Sequence, residues 1–245
     1  ELAKLNTFNL KNRFSENDHL IVCISWTYGS GGVNIGFKLA DKLKINFYDA
    51  EIFEAVLKRL EAQKDSIQDS VSYGIKPGIK KEPAHDQDAN VNPSEAFIPE
   101  RHLTLRQRMR EFSRFHGLPK RDAVFFNESD LLVDMAKKED FVILGRCGDA
   151  IMANNNIPHI SIYITAPFEQ RIKRAMEIDS SLTVKQARHM LKHLDHVHSQ
   201  YYHYYTNRNW GHSNNYDLCI NSASYGIDGT VDFIYRMITA REEDK

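Results

Sequence analysis

The stretch HLIVCISWTYGSGGVNIGFKLADKL, residues 19–43, decides the fold. Its first seven residues, HLIVCIS, form a short β-branched apolar run, which predicts a strand buried on both faces. The run passes into Trp26, Thr27, Tyr28 and the glycine-rich Gly29-Ser30-Gly31-Gly32. Beyond it, apolar residues at 35, 39, 40 and 43 have helical spacing. The order is strand, glycine turn, helix. The first N–H groups of such a helix have no intrahelical partner, and the helix dipole favours negative charge there. Glycines let a ligand approach the backbone closely, so the arrangement suits a phosphate. The bland alternative is a tight turn that binds nothing. The turn also departs from G-x-x-x-x-G-K-[ST]. Trp26 takes the first glycine position, Gly31 matches the second, and Gly32 replaces the lysine. Val33 and Asn34 follow where a hydroxyl would meet Mg²⁺.

Working outward, Phe47 and Tyr48 predict a second strand that ends at Asp49, and residues 51–62 have helical spacing. From 66 to 100 the pattern collapses around Pro77, Pro83, Pro93 and Pro99, which predicts a loop. Residues 101–121 are basic, with Arg106, Arg108, Arg110 and Arg114. Order returns with a helix over 123–138 and the strand FVIL at 141–144, followed by Gly145-Arg146. HISIYI at 159–164 is the next strand, and Pro167 opens a helix. A helix over 183–205, the strand YDLCIN at 216–221 and a helix over 228–240 complete the chain. Short apolar strands alternating with helices predict an α/β fold with a mostly parallel sheet of about five strands.

Composition narrows the function classes. Of 245 residues 42% are apolar, enough for a sizeable core. Lys plus Arg number 32 and Asp plus Glu 33, for a net charge of -1, so any anion must be met by a local cluster. That balance argues against nucleic acid, although Tyr201, Tyr202, Tyr204, Tyr205 and Trp210 have the aromatic character of a base-stacking surface. No apolar run is long enough to span a bilayer, and residues 1–18 show no signal-peptide pattern. Cys23, Cys147 and Cys219 form no C-x-x-C pair, which fits a reduced, cytoplasmic chain. His189 and His193 share a helical face near His196 and His198, but no H-E-x-x-H or carboxylate completes a zinc set. We expect no protein-bound metal.

Taken together, several segments resemble the cytidylate kinase-like family of P-loop proteins, relatives of the nucleoside monophosphate kinases. They are IVCISWTYGSGGVNIGFKLADKL, FYDAEIF, FVILGRCGDAI, ISIYITAPFEQRIKRAM, HLDHVHSQYYHYYTNRNWG and YDLCINSASYGIDGTVDFI, covering most of residues 19–238. The resemblance implies a P-loop sheet in one domain, residues 19–241, after an extension of 1–18. It also implies an acceptor-side insertion at 64–122 and a lid region at 167–212. The implied activity is transfer of the γ-phosphoryl of ATP, with Mg²⁺, to CMP or a related acceptor. The partners are then small-molecule nucleotides.

The resemblance further implies residue roles. Tyr28, Gly29, Ser30, Gly31, Gly32, Val33 and Asn34 would cradle the donor phosphates, and Asp49 would border the acceptor site. Arg146 would hold the acceptor phosphate, a task that suits a bidentate guanidinium at a strand end. Arg171 and Arg174 would stabilise the transferring group on lid closure. Asp195 matches the acid of a D-x-x-R pattern and would bind the cytosine edge or orient a basic partner. His198 stands in place of that pattern's arginine, and Val33 where a basic residue commonly follows the glycines. Two cationic positions are therefore altered. Phosphoryl transfer depends on positioning and cationic stabilisation, so the alterations imply a weakened kinase. They equally suit a non-catalytic, pseudokinase-like nucleotide binder with a regulatory or scaffolding role. The sequence does not determine oligomeric state.

Overall fold

The computed structural model describes residues 13–49 and 120–239. The expected helix at 51–62, the proline-rich stretch 66–100 and most of the basic run 101–121 lie outside the described residues. So does most of the expected 64–122 insertion.

Five strands form one parallel sheet. They are β1 (Ile21–Trp26), β2 (Asn46–Tyr48), β3 (Phe141–Leu144), β4 (Ile160–Thr165) and β5 (Leu218–Asn221), in the spatial order β2-β3-β1-β4-β5. The helices are α1 (Gly32–Leu43), α2 (Lys120–Ala136), α3 (Gly148–Asn154), α4 (Phe168–Ile178), α5 (Val184–Thr206) and α6 (Ser222–Thr239). Side chains alternate between faces along a strand, and here both faces are covered. Val22, Ile24, Val142 and Leu144 pack on one side with Ile35 and Leu39 of α1 and Ile234 and Ile238 of α6. Ile21, Cys23, Phe141 and Ile143 pack on the other with Leu132 and Met135 of α2 and Ile151 and Met152 of α3. Burial on both faces is why these strands appear as continuous apolar runs.

The strand order places the site. The chain leaves β1 toward β2 on one side and later reaches β4 on the other, so the order switches at β1. In open α/β sheets ligands sit outside the carboxyl ends of the strands at such a switch. Three turns meet there, those after β1, β3 and β4. They are tied by backbone bonds from Thr27 N–H to the Ile164 carbonyl, 3.0 Å, and from Gly145 N–H to the Ile24 carbonyl, 2.8 Å.

Two elements differ from expectation. Helix α3 has only seven residues, with Ala150, Ile151 and Met152 consecutive and all buried, so it carries no period to read. Helix α6 starts at Ser222, six residues before the periodic stretch. Gly226, at φ 68° and ψ 175°, interrupts it. The preceding turn is fastened to the core where Ser222 Oγ donates to the Ser30 carbonyl at 2.6 Å.

Candidate functional site

The glycine turn folds as tightly as its composition suggests. Gly29 and Gly31 have φ of 77° and 80°, in the left-handed region that glycine enters without penalty. Gly31 stands at the N-cap of α1, and no side chain caps the helix. Among the described residues nothing accepts from the N–H groups of Gly32, Val33 or Asn34. Gly32 and Val33 are buried. The first N–H groups of a helix have no partner within it, so an anion is the natural acceptor at this helix start. Two side chains among the expected cradle residues face elsewhere. Ser30 is fully buried and its Oγ donates to the Ile164 carbonyl at 3.3 Å. Tyr28 packs against Ile172, Ala187, Leu191 and Leu194, which joins the turn to α4 and α5.

The turn is covered by two side chains. A β-carbon on Gly31 would collide with Nη1 of Arg174, and one on Gly32 would collide with the indole of Trp26. Trp26 also lies against Gly145, with Cζ3 3.3 Å from the position of a β-carbon there. Its indole thus spans the space between the turn after β1 and the turn after β3. Its Nε1 is buried without a hydrogen-bond partner. A side chain at Gly32, where the G-x-x-x-x-G-K-[ST] pattern has its lysine, would run into this tryptophan. Lys38 does not replace that lysine, because its Nζ pairs with Asp228 at 2.6 Å on the surface.

Arg171 and Arg174 have different places. Arg171 is buried and committed. Its Nη1 and Nη2 meet Asp195 Oδ1 and Oδ2 at 2.9 and 2.8 Å, and Nη1 donates to the Tyr28 carbonyl at 3.2 Å. This bidentate pair fastens the turn to α4 and α5. The guanidinium expected to face the transferring group is a strut, and Asp195 is the acid that orients it. Arg174, one turn later, is half-buried. Among the described residues it makes no ion pair or hydrogen bond. Its guanidinium lies beside the unpaired amides of α1.

Arg146 occupies the end of β3. Gly145, Arg146 and Cys147 have φ of 66°, 55° and 56°, three consecutive left-handed residues. For the two that are not glycine this costs of order 1–3 kcal/mol each, a cost that folded proteins concentrate at functional sites. The Arg146 Nε lies 3.7 Å from Oε1 of Glu128 on α2. Burial disfavours the charged guanidinium, but Glu128, Tyr201 and Asp49 outweigh it and raise its pKa. Tyr201 is also hydrogen-bonded to it. Glu128 is fully buried, and neither carboxyl oxygen has a hydrogen-bond partner. Burial lifts its pKa to about 7, with Arg146 opposing and Asp49 adding to the rise. Glu128 was not among the residues singled out from the sequence. A signal was present: Val124, Glu128 and Leu132 recur every four residues, so a carboxyl sits in the apolar stripe of α2.

His198 contacts the edges of Trp26 and Trp210 at 6.2 and 5.7 Å. Burial and the nearby Arg146 hold its pKa down to about 4, against a smaller opposing effect of Asp195, so it is neutral near pH 7. The aromatic block of α5 packs inward. Phe125 stacks on Tyr205 at 3.9 Å, and Tyr202 donates to Asp149 Oδ2 at 2.6 Å. Only Tyr204 of that block is strongly exposed, at 54%. A row of free rings for stacking bases is therefore absent among the described residues. No cluster of three metal-ligating side chains occurs among them either. No described helix is long and apolar enough to cross a membrane.

A parallel sheet in this order, with a glycine turn at the switch and arginines around it, defines a P-loop kinase-type fold. A family profile described as the cytidylate kinase-like family matches residues 21–224, and the chain belongs to that family. Among solved structures, an uncharacterized protein from Eubacterium ventriosum ATCC 27560 is 22% identical with a TM-score of 0.60. The match covers 91% of this chain and 100% of that one. Shikimate kinase from Bacteroides thetaiotaomicron is 11% identical, TM-score 0.44, over 89% of this chain and 97% of its own. Dephospho-CoA kinase from Campylobacter jejuni is 15% identical, TM-score 0.37, over 89% and 98%. No curated protein matches.

Proposed function

We propose that this protein binds ATP at the glycine turn and transfers its γ-phosphoryl to a nucleoside monophosphate, CMP or a close relative, as a weakened kinase. One observation carries the reading: a half-buried guanidinium, Arg174, lies, among the described residues, without an anionic partner beside three unpaired amides at the start of α1. Clustered positive groups repel one another, and a polyphosphate relieves them all. Arg174 must move off Gly31 as the phosphates enter, and then faces them from the side. Arg171 and Asp195 keep Tyr28 and the turn in register with α4. Arg146 holds the acceptor anion, with Asp49 nearby. An acceptor phosphate oxygen attacks the γ-phosphorus, the bond to the bridging oxygen breaks, and ADP leaves. No protein base is required, since the nucleophile is already anionic at neutral pH.

Magnesium does not fit as a protein-held ion at this turn. Val33 has no side-chain oxygen to offer, Ser30 is turned into the core, and among the described residues no ligand cluster supplements them. We assign it to the substrate, as MgATP.

A second reading, nucleotide binding without transfer, is favoured by Trp26 against Gly32, where the pattern has its lysine, and by a neutral His198. Coupled ADP release with each nucleoside monophosphate, beside calorimetric titration with ATP and CMP, separates the two. Turnover with CMP is expected on the first reading, binding of both without turnover on the second. Absence of any nucleotide binding would overturn both.

A further inference from the structure

Glu128 is a problem the described protein does not solve by itself. Its carboxyl is excluded from water, and neither oxygen receives a hydrogen bond. Among the described residues its ion-pair partner is Arg146, whose Nε stands at 3.7 Å, beyond hydrogen-bond reach. A buried polar group in this state costs free energy that a donor would recover. Among the described residues, the charges that face Glu128 are Arg146, from the turn after β3, and Asp49, from the end of β2. From α5, Tyr201 and the neutral His198 face the same guanidinium. The Arg146 guanidinium thus faces both carboxyl groups. An oxyanion without a hydrogen, such as sulfate, brings no donor for Glu128. An acceptor that brings its own N–H or O–H donor next to its anion satisfies both sides.

We propose that Glu128 is a specificity-determining residue of the acceptor site. It selects acceptors that carry a hydroxyl or amino donor close to the anion held by Arg146 over an oxyanion such as sulfate, which brings none. The inference rests on the reading that Arg146 holds the acceptor's anion. The geometry supplies the match: an empty acceptor pair lies one contact distance from the guanidinium, at the strand end where the backbone is strained to left-handed φ. Burial, which lifts this carboxyl to about 7, agrees with an acid lacking its donor.

The test is calorimetric titration of the whole chain with CMP, with sulfate and with ATP, for the wild type, Glu128→Gln and Glu128→Asp. Glutamine keeps the size of the side chain and removes a buried charge, so folding is retained; aspartate keeps the charge but withdraws the oxygens. The expected result is tighter binding of CMP than of sulfate by the wild type. Both variants are expected to bind CMP at least about tenfold more weakly, the loss of a hydrogen bond to a charged group. Sulfate affinity does not fall in either variant, and ATP affinity stays within about twofold of wild type. Unchanged CMP affinity in both variants overturns the role of Glu128 and leaves the reading of Arg146 standing. Equal affinity of the wild type for sulfate and CMP overturns the selectivity. If the wild type binds ATP but neither CMP nor sulfate, the acceptor reading itself falls, and this inference with it.

Discussion

At the residue scale, Glu128 and His198 show how burial sets two opposite pH responses in an acid and a base. Both lie near Arg146. Glu128 in the fold titrates near 7 against an ordinary value of 4.5. Its carboxyl binds a proton in the fold more readily than in the unfolded chain, so its contribution to stability falls as pH rises through that interval. His198 titrates near 4 against an ordinary 6.5. Its contribution is present above the ordinary value and falls as pH drops toward 4. The two slopes oppose each other in the wild type. Glu128→Gln removes one of them. We expect its melting temperature, relative to wild type, to rise from about pH 5 to about pH 7 and then to level off. Differential scanning fluorimetry across that range checks this, and a constant difference contradicts the placement of Glu128 in a dry site. The remaining acids, Asp149 among them, are common to both proteins and cancel in the difference.

At the element scale, the turn after β1 is held by helices α4 and α5, and the Arg171–Asp195 pair is the polar part of that hold. The pair is mostly buried, with side-chain exposures of 7% and 24%. Removing one partner leaves the other charge unpaired, which costs about 3–5 kcal/mol at buried sites. We expect Arg171→Ala and Asp195→Ala each to approach that cost in urea denaturation. The double variant should be destabilised by clearly less than the sum, with a coupling of about 1–3 kcal/mol. Additive losses would mean that the two side chains do not depend on each other. The same elements explain what the sequence made legible. The strands were readable because burial on both faces turns them into unbroken apolar runs, and α5 because its helical period continues through 183–205; the structure adds the capping box of Thr183 and Gln186 that starts it. Helix α3 was not, since seven residues hold too few turns to show a period. The role of Arg171 was not legible either. It depends on Asp195, 24 positions away, and an arginine facing a ligand has the same one-letter code as an arginine facing an acid.

At the scale of the whole molecule, the sheet order brings the turns after β1, β3 and β4 to one edge, and side chains from α2, α4 and α5 converge there. Membership of the cytidylate kinase-like family was legible because its segments run in order through 21–224. What distinguishes this member was only half legible. The departure from the lysine of the P-loop pattern was plain at Gly32, but that Trp26 lies against it, and that Arg174, unlike Arg171, has no partner among the described residues, required the packed structure. The central claim is that the start of α1 and Arg174 form one anion site. Calorimetric titration of ATP into the wild type and Arg174→Ala tests it most directly. The account predicts binding that weakens with added salt, and a loss of at least about tenfold in the variant, as for a charge-assisted contact to phosphate. Equal ATP affinity in the two proteins, or none in the wild type, would contradict it.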